Sequence, residues 1–219
     1  KKNSKYLSYR SHVWQNTSRA GLPKIFLEKI DFEKYAEFII NYPLLFVMRN
    51  DKFINTKGKN FKDFIEGKIK NISLPNSSDL SNHLSTIFTE NRLKKYIEIR
   101  SMDACGWDCL CAGPAFITGL IYGNIDETYD LVKKWKLENI LSAYEEAPKK
   151  GFNTKFEGKD LYYWSNLVLN LSKKGLDNRN IFNEGNLNES KFLAHTREII
   201  KSKTTNAENI LNRFKNNKN

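Results

Sequence analysis

Near residue 103 the spacing of apolar residues in this 219-residue chain changes, and the change limits the folds open to it. Before it, residues 94–103 alternate strictly. Ile97 and Ile99 point one way, and Tyr96, Glu98 and Arg100 point the other, as in a half-buried strand. After it, apolar residues recur at helical spacing, over 114–122, 126–135, 137–145, 161–174, 188–202 and 205–215. The first half is mixed. Residues 6–23 read as strand or loop. Asp31 caps a helix over 31–41 that Pro43 stops. A short strand over 44–49 leads into a polar turn rich in Asn, Lys and Gly. A helix over 61–65 closes at Gly67, and Ser78 or Asp79 caps another that runs to Ile87. Strands mainly in 1–110 and helices in 111–219 predict an α+β chain, not an alternating α/β one.

The alternating strand also carries chemistry. It predicts that Glu98 and Arg100 stand side by side on a face that looks into a cleft, with Ile97 and Ile99 in the core. A hard carboxylate and a planar guanidinium fixed together can hold a divalent cation and an anionic oxygen, as phosphoryl transfer requires. The competing reading is an exposed cross-strand ion pair, which adds little stability. No Gly-x-x-x-x-Gly-Lys-[Ser/Thr] loop, dinucleotide fingerprint or nucleophile elbow is present, so phosphates would have to be held without a P-loop.

The net charge of +11 admits nucleic acid, an acidic membrane surface, or a nucleotide and a dicarboxylate. The Lys residues are scattered and form no basic arm, which favours the last. Cys105, Cys109 and Cys111 lie within seven positions of one another and have no distant partner. That excludes a secreted disulfide framework and predicts reduced thiols. His12, His83 and His195 are scattered, so a zinc site is not expected, and His83 reads as a structural histidine inside a helix. No apolar run reaches membrane-spanning length.

Several segments then fall into one order. Arg10-Ser11-His12-Val13-Trp14 precedes Arg19-Ala20-Gly21-Leu22-Pro23. Phe46-Val47-Met48-Arg49 and His83-Leu84-Ser85-Thr86 follow, then Arg92-Leu93-Lys94 and Tyr96-Ile97-Glu98-Ile99-Arg100. Trp107 leads to Leu110-Cys111-Ala112-Gly113-Pro114-Ala115-Phe116, and Ala207-Glu208-Asn209-Ile210-Leu211 lies near the end. Over residues 6–215 this order resembles the glutamate–cysteine ligases of the plant and proteobacterial type. The match is to the C-terminal half of that family, so the chain, which opens on Lys1, is expected to be the C-terminal portion of a single larger catalytic domain.

The resemblance implies an antiparallel sheet cupping the active site, related to the glutamine-synthetase catalytic fold. It implies an enzyme that joins the γ-carboxylate of L-glutamate to L-cysteine through a γ-glutamyl phosphate, with ATP as co-substrate and Mg²⁺ as cofactor, in glutathione biosynthesis. Glu98 matches the metal-binding position and acts in catalysis with Arg100. Arg10, Trp14 and Arg49 match positions near the glutamate pocket, and Arg19 and Arg92 are weaker candidates of the same kind. No nucleic-acid or membrane partner is implied, and the expected location is cytoplasmic. Ala104-Cys105-Gly106 stands where the family has Gly-Gly-Pro, which bears on the choice of amine. The alternatives are a ligase that couples glutamate to another amine, and a basic nucleic-acid-binding module.

Overall fold

A computed structural model describes residues 5–17 and 19–216, which group into two compact units. One is Val13–Ser101. The other joins the described residues before position 13 to those from Met102 onward.

The chain enters on a short helix, α1 (Tyr9–Gln15), where a strand or loop was expected. In the first unit β1 (Ala20–Gly21) pairs in parallel with β4 (Phe88–Thr89). Helix α2 (Phe32–Asn41) starts where Asp31 accepts the Lys34 N–H at 2.8 Å, as the sequence predicts. Strands β2 (Val47–Arg49) and β3 (Lys52–Ile54) form a hairpin. Its turn residues Asn50 and Asp51 both have positive φ, the conformation that a two-residue turn matching strand twist demands. Helix α3 (Phe61–Ile65) follows. Helix α4 (Ser77–Ser85) is capped by Asn76, not Ser78 or Asp79. Asp79 instead supplies the reciprocal bond of a capping box.

The predicted strand over 94–103 is shorter than its pattern. Only β6 (Ile97–Ile99) is strand, and it pairs antiparallel with β5 (Asn91–Leu93), an element the alternation did not reveal. Apolar packing in this unit lies in two groups, Leu44, Val47, Phe61 and Phe64, and Tyr35, Ile39 and Ile87. Ile97 joins neither. It is 66% exposed, which corrects its expected place in the core. Period-two alternation says which residues share a face, but not whether that face is covered.

The second unit is helical apart from the hairpin of β7 (Lys155–Phe156) and β8 (Lys159–Asp160), which the helical reading of this half did not include. Its helices are α5 (Ala112–Ile121), α6 (Ile125–Val132), α7 (Leu137–Lys150), α8 (Leu161–Arg179), α9 (Ala194–Ser202) and α10 (Asn206–Asn216). Helix α7 runs past the predicted end at 145, through Pro148 to Lys150. Gly175 lies inside α8, which runs past the predicted end at 174 to Arg179. This glycine lies against α5, where a Cβ on Gly175 would stand 1.9 Å from the Gly119 carbonyl oxygen. The two backbones touch because both residues lack side chains. Around this crossing lie Ala115, Leu169, Leu176, Leu193 and Ile200.

The α+β mixture is therefore correct, and no single antiparallel sheet assembles among the described residues. The described strands form four two-stranded sheets, one of them parallel. No helix among the described residues is long and apolar enough to cross a membrane.

Candidate functional site

The antiparallel register of β5 and β6 sets Arg92 directly opposite Glu98. Directly opposed residues bring their side chains together, so the pair forms by topology. Arg92 Nε donates to Glu98 Oε2 at 2.7 Å, and Nη2 reaches the same oxygen at 2.5 Å. Arg100 Nη1 approaches it at 3.3 Å. Lys94 Nζ stands 3.5 Å from Oε1, and the Tyr96 hydroxyl lies at the same distance. Three cations thus face one carboxylate. Burial pushes the Glu98 carboxyl up, but the Arg92 hydrogen bond and charge, with Lys94 and Arg100, outweigh it and hold it below the ordinary range.

Trp14 joins this group. The Arg100 guanidinium carbon lies 5.7 Å from the Trp14 ring centre and 6.0 Å from that of Phe88, within reach of a cation–π attraction. Glu98, Arg100 and Trp14 are therefore brought together, as the sequence expected of the first two. One concavity beside this ribbon, about 260 Å³, is lined by Phe26, Ile30, Tyr35, Leu93 and Ile97, and another, about 420 Å³, by Leu80, Leu84, Lys94 and Tyr96.

The structure gives Arg49 other employment. Its Nη1 and Nη2 donate to the two Asp79 oxygens at 2.6 and 2.9 Å, and Nη1 also reaches the Met48 carbonyl. Both prongs of this fork are thus occupied by Asp79. Arg10 belongs to the other unit, with Nη1 4.0 Å from Asp103. Arg19 clamps the Thr86 and Pro43 carbonyls and lies 5.1 Å from the Tyr42 ring centre, a structural arrangement.

Arg92 is the residue whose place sequence reasoning undervalued. The available signal was the six-residue separation from Glu98, which becomes a cross-strand pair once a tight turn at 94–96 is recognised. His83 is structural, as read. It is buried, stacks on Phe61, and meets the Ile39 carbonyl at 2.8 Å through Nε2. A carbonyl only accepts, so Nε2 carries a proton.

The cysteine reading needs correction. Cys105 and Cys109 are joined in a disulfide, and Cys111 is free and exposed. A four-residue separation suits a turn that folds both sulfurs to one side, which composition does not reveal. No group of three or more His, Cys, Asp or Glu side chains able to hold a metal occurs among the described residues. Glu98 fits Mg²⁺ in donor chemistry, as one hard oxygen ligand, and the described residues complete no set around it.

Comparison with known proteins gives a consistent answer. The family described as Glutamate-cysteine ligase family 2 (GCS2) matches residues 2–219. The chain is 38% identical over 213 residues to a protein of Solanum lycopersicum named glutamate–cysteine ligase, chloroplastic. That match covers 94% of this chain and 40% of the tomato protein. The Nicotiana tabacum protein of the same name is 37% identical, again over 94% of this chain and 40% of its own length. Glutamate–cysteine ligase A, chloroplastic, of Oryza sativa subsp. indica is 37% identical over 95% of this chain and 43% of the rice protein. The chain thus spans about two fifths of the length of these relatives. Their names place all three in the chloroplast, which overturns the expectation of a cytoplasmic location. With a profile match along nearly its whole length, and relatives that align with almost all of it, the chain belongs to the glutamate–cysteine ligase family 2.

Proposed function

We propose that the complete polypeptide to which this chain belongs joins the γ-carboxylate of L-glutamate to the amine of L-cysteine with ATP, through a γ-glutamyl phosphate. The observation that carries this reading is the Glu98–Arg100 pair, set on a rigid ribbon beside Trp14 in a chain of this family. A carboxylate is a poor electrophile at neutral pH, and phosphorylation gives it a good leaving group. Charge then spreads over the transferring phosphoryl oxygens and over the acyl phosphate. Arg100, fixed between Glu98 and two aromatic rings, supplies a pre-oriented positive charge for it. Lys94, on the same carboxylate, adds a second cation. The amine attacks the acyl carbon directly, so no enzyme nucleophile is needed.

Glu98 is the residue that would hold Mg²⁺, which when bound neutralises phosphate charge. Trp14 is proposed to contribute to the glutamate pocket. Arg49 supports the reading less well, because its fork already holds Asp79.

The test is Mg·ATP-dependent formation of γ-glutamylcysteine by the complete polypeptide, with phosphate release measured in parallel. Product with cysteine and none without ATP supports the reading. Release of phosphate with a different amine, and none with cysteine, would give the reaction to the other coupling instead. Absence of glutamate-dependent phosphate release would end both.

A further inference from the structure

Arg92 is a charged side chain only 5% exposed, and every nitrogen of its fork has a partner. Nε and Nη2 hold Glu98 Oε2. Nη1 meets the carbonyls of Ser85, Ile87 and Leu84 at 2.6, 3.1 and 3.3 Å. These carbonyls lie at and just beyond the end of α4, where the last oxygens of a helix lack partners within it. One guanidinium therefore ties a helix end to the carboxylate of a strand.

The consequence is that the two oxygens of Glu98 are unequal. Oε2 receives Arg92 twice and Arg100 once. Oε1 has only Lys94 and Tyr96, each at 3.5 Å, the outer limit of a hydrogen bond. A glutamate on a short ribbon would otherwise exchange rotamers, and a misplacement of about 1 Å is enough to slow an oriented reaction. We propose that Arg92 is a positioning residue: it commits Oε2 and so presents Oε1 as the oxygen that meets the reacting groups. The role rests on the reading of Glu98 given above. A residue that only sealed the end of α4 would leave the same buried guanidinium but would not act through Glu98.

A double-substitution cycle in the complete polypeptide separates the two. Arg92→Lys keeps the charge and loses the fork. Alone it should lower kcat by about 10- to 100-fold, as loss of an orienting partner does. In the Glu98→Gln background the same change should lower kcat less than about twofold, because nothing remains to be positioned. All values are referred to the folded fraction from urea curves. Equal losses in both backgrounds overturn the positioning role and leave the catalytic reading of Glu98 intact. Undiminished kcat in Glu98→Gln alone removes that reading and this role with it. If Arg92→Lys does not fold, Arg92→Ala is assayed with methylguanidinium, which restores the fork. Recovery that methylammonium at equal ionic strength does not give supports the role, and no recovery, or equal recovery with both, overturns it.

Discussion

Asp79 and Glu98 are both carboxylates gripped by arginine, in the same unit, and they are gripped to different ends. Asp79 is fully used. Each of its oxygens takes one prong of Arg49, and Oδ2 also accepts the Asn76 N–H at the start of α4. It is 6% exposed and closes a helix cap. Glu98 is crowded on one oxygen and nearly open on the other. An Arg–carboxylate pair is thus no indication of function until the lone pairs are counted. The first pair holds a helix to a hairpin. The second leaves an oriented oxygen among cations.

The largest effect should fall on the second pair. Glu98→Gln should lower turnover by about 3 kcal/mol or more in activation free energy, as removal of a pre-organised charge in a phosphoryl-transfer site does. Arg100→Lys should fail in the same assay, because an ammonium does not reproduce a planar fork. The bare strand pattern, taken as solvent-facing, predicts a stability change below about 1 kcal/mol for Glu98→Gln. Burial of Arg92 raises that expectation to about 2 kcal/mol, since a charged hydrogen bond weakens over a desolvated cation. Turnover near wild type per folded molecule would return Glu98 to the same class as Asp79.

Asp79→Ala should behave in the opposite way. Losing the reciprocal bond of the capping box costs about 1 kcal/mol and the charged hydrogen bonds to Arg49 about 2 more, so the urea midpoint should drop clearly. Turnover per folded molecule should stay within about twofold, the range of a substitution that makes no contact with the reaction. A fall in turnover with an unchanged midpoint would place Arg49 and Asp79 in the site and break the contrast.

A smaller effect is expected for Arg49→Lys, about 1 kcal/mol of stability, because one prong survives and the site is partly exposed. If glutamate affinity falls instead, the filled fork opens for substrate.

The smallest effect is a pH dependence on α4, which carries both Asp79 and His83. Burial lowers the His83 pKa, outweighing the bond to Ile39. The unfolded chain therefore binds a proton that the folded chain refuses. Stability should be full above the ordinary histidine value near 6.5 and fall as pH drops below it. Asp79 is shifted the other way. Burial raises its pKa, but Arg49 and the Asn76 N–H lower it further, so its contribution is present above about 4 and is lost as pH falls through the depressed folded value. Urea midpoints from pH 7.5 downward should show two windows. His83→Gln should erase the upper one alone, and an upper window that persists in that variant would assign it to another group.

Much of this was legible in the chain. Asp31, Pro43 and Gly67 mark element ends because caps and breakers act over three or four residues. The Asn50-Asp51 turn is local for the same reason. The paired placement of Glu98 and Arg100 followed from alternation alone. The full use of Asp79 did not, because it needs Arg49, thirty positions away. Nor did Gly175, which reads as a helix stop in one dimension and is a contact with Gly119 in three.

The sequence by itself determined the mixture of elements, the family, and which residue types share the face of one strand, because periodicity, capping and motif order are local properties of the chain. Only the tertiary structure decided which arginine holds which carboxylate, that Ile97 faces a concavity and not a core, and that Cys105 meets Cys109. Those depend on register and on which surfaces are covered. A one-residue difference in pairing would have put Arg92 on the far face of the ribbon from Glu98 with the same composition and the same pattern.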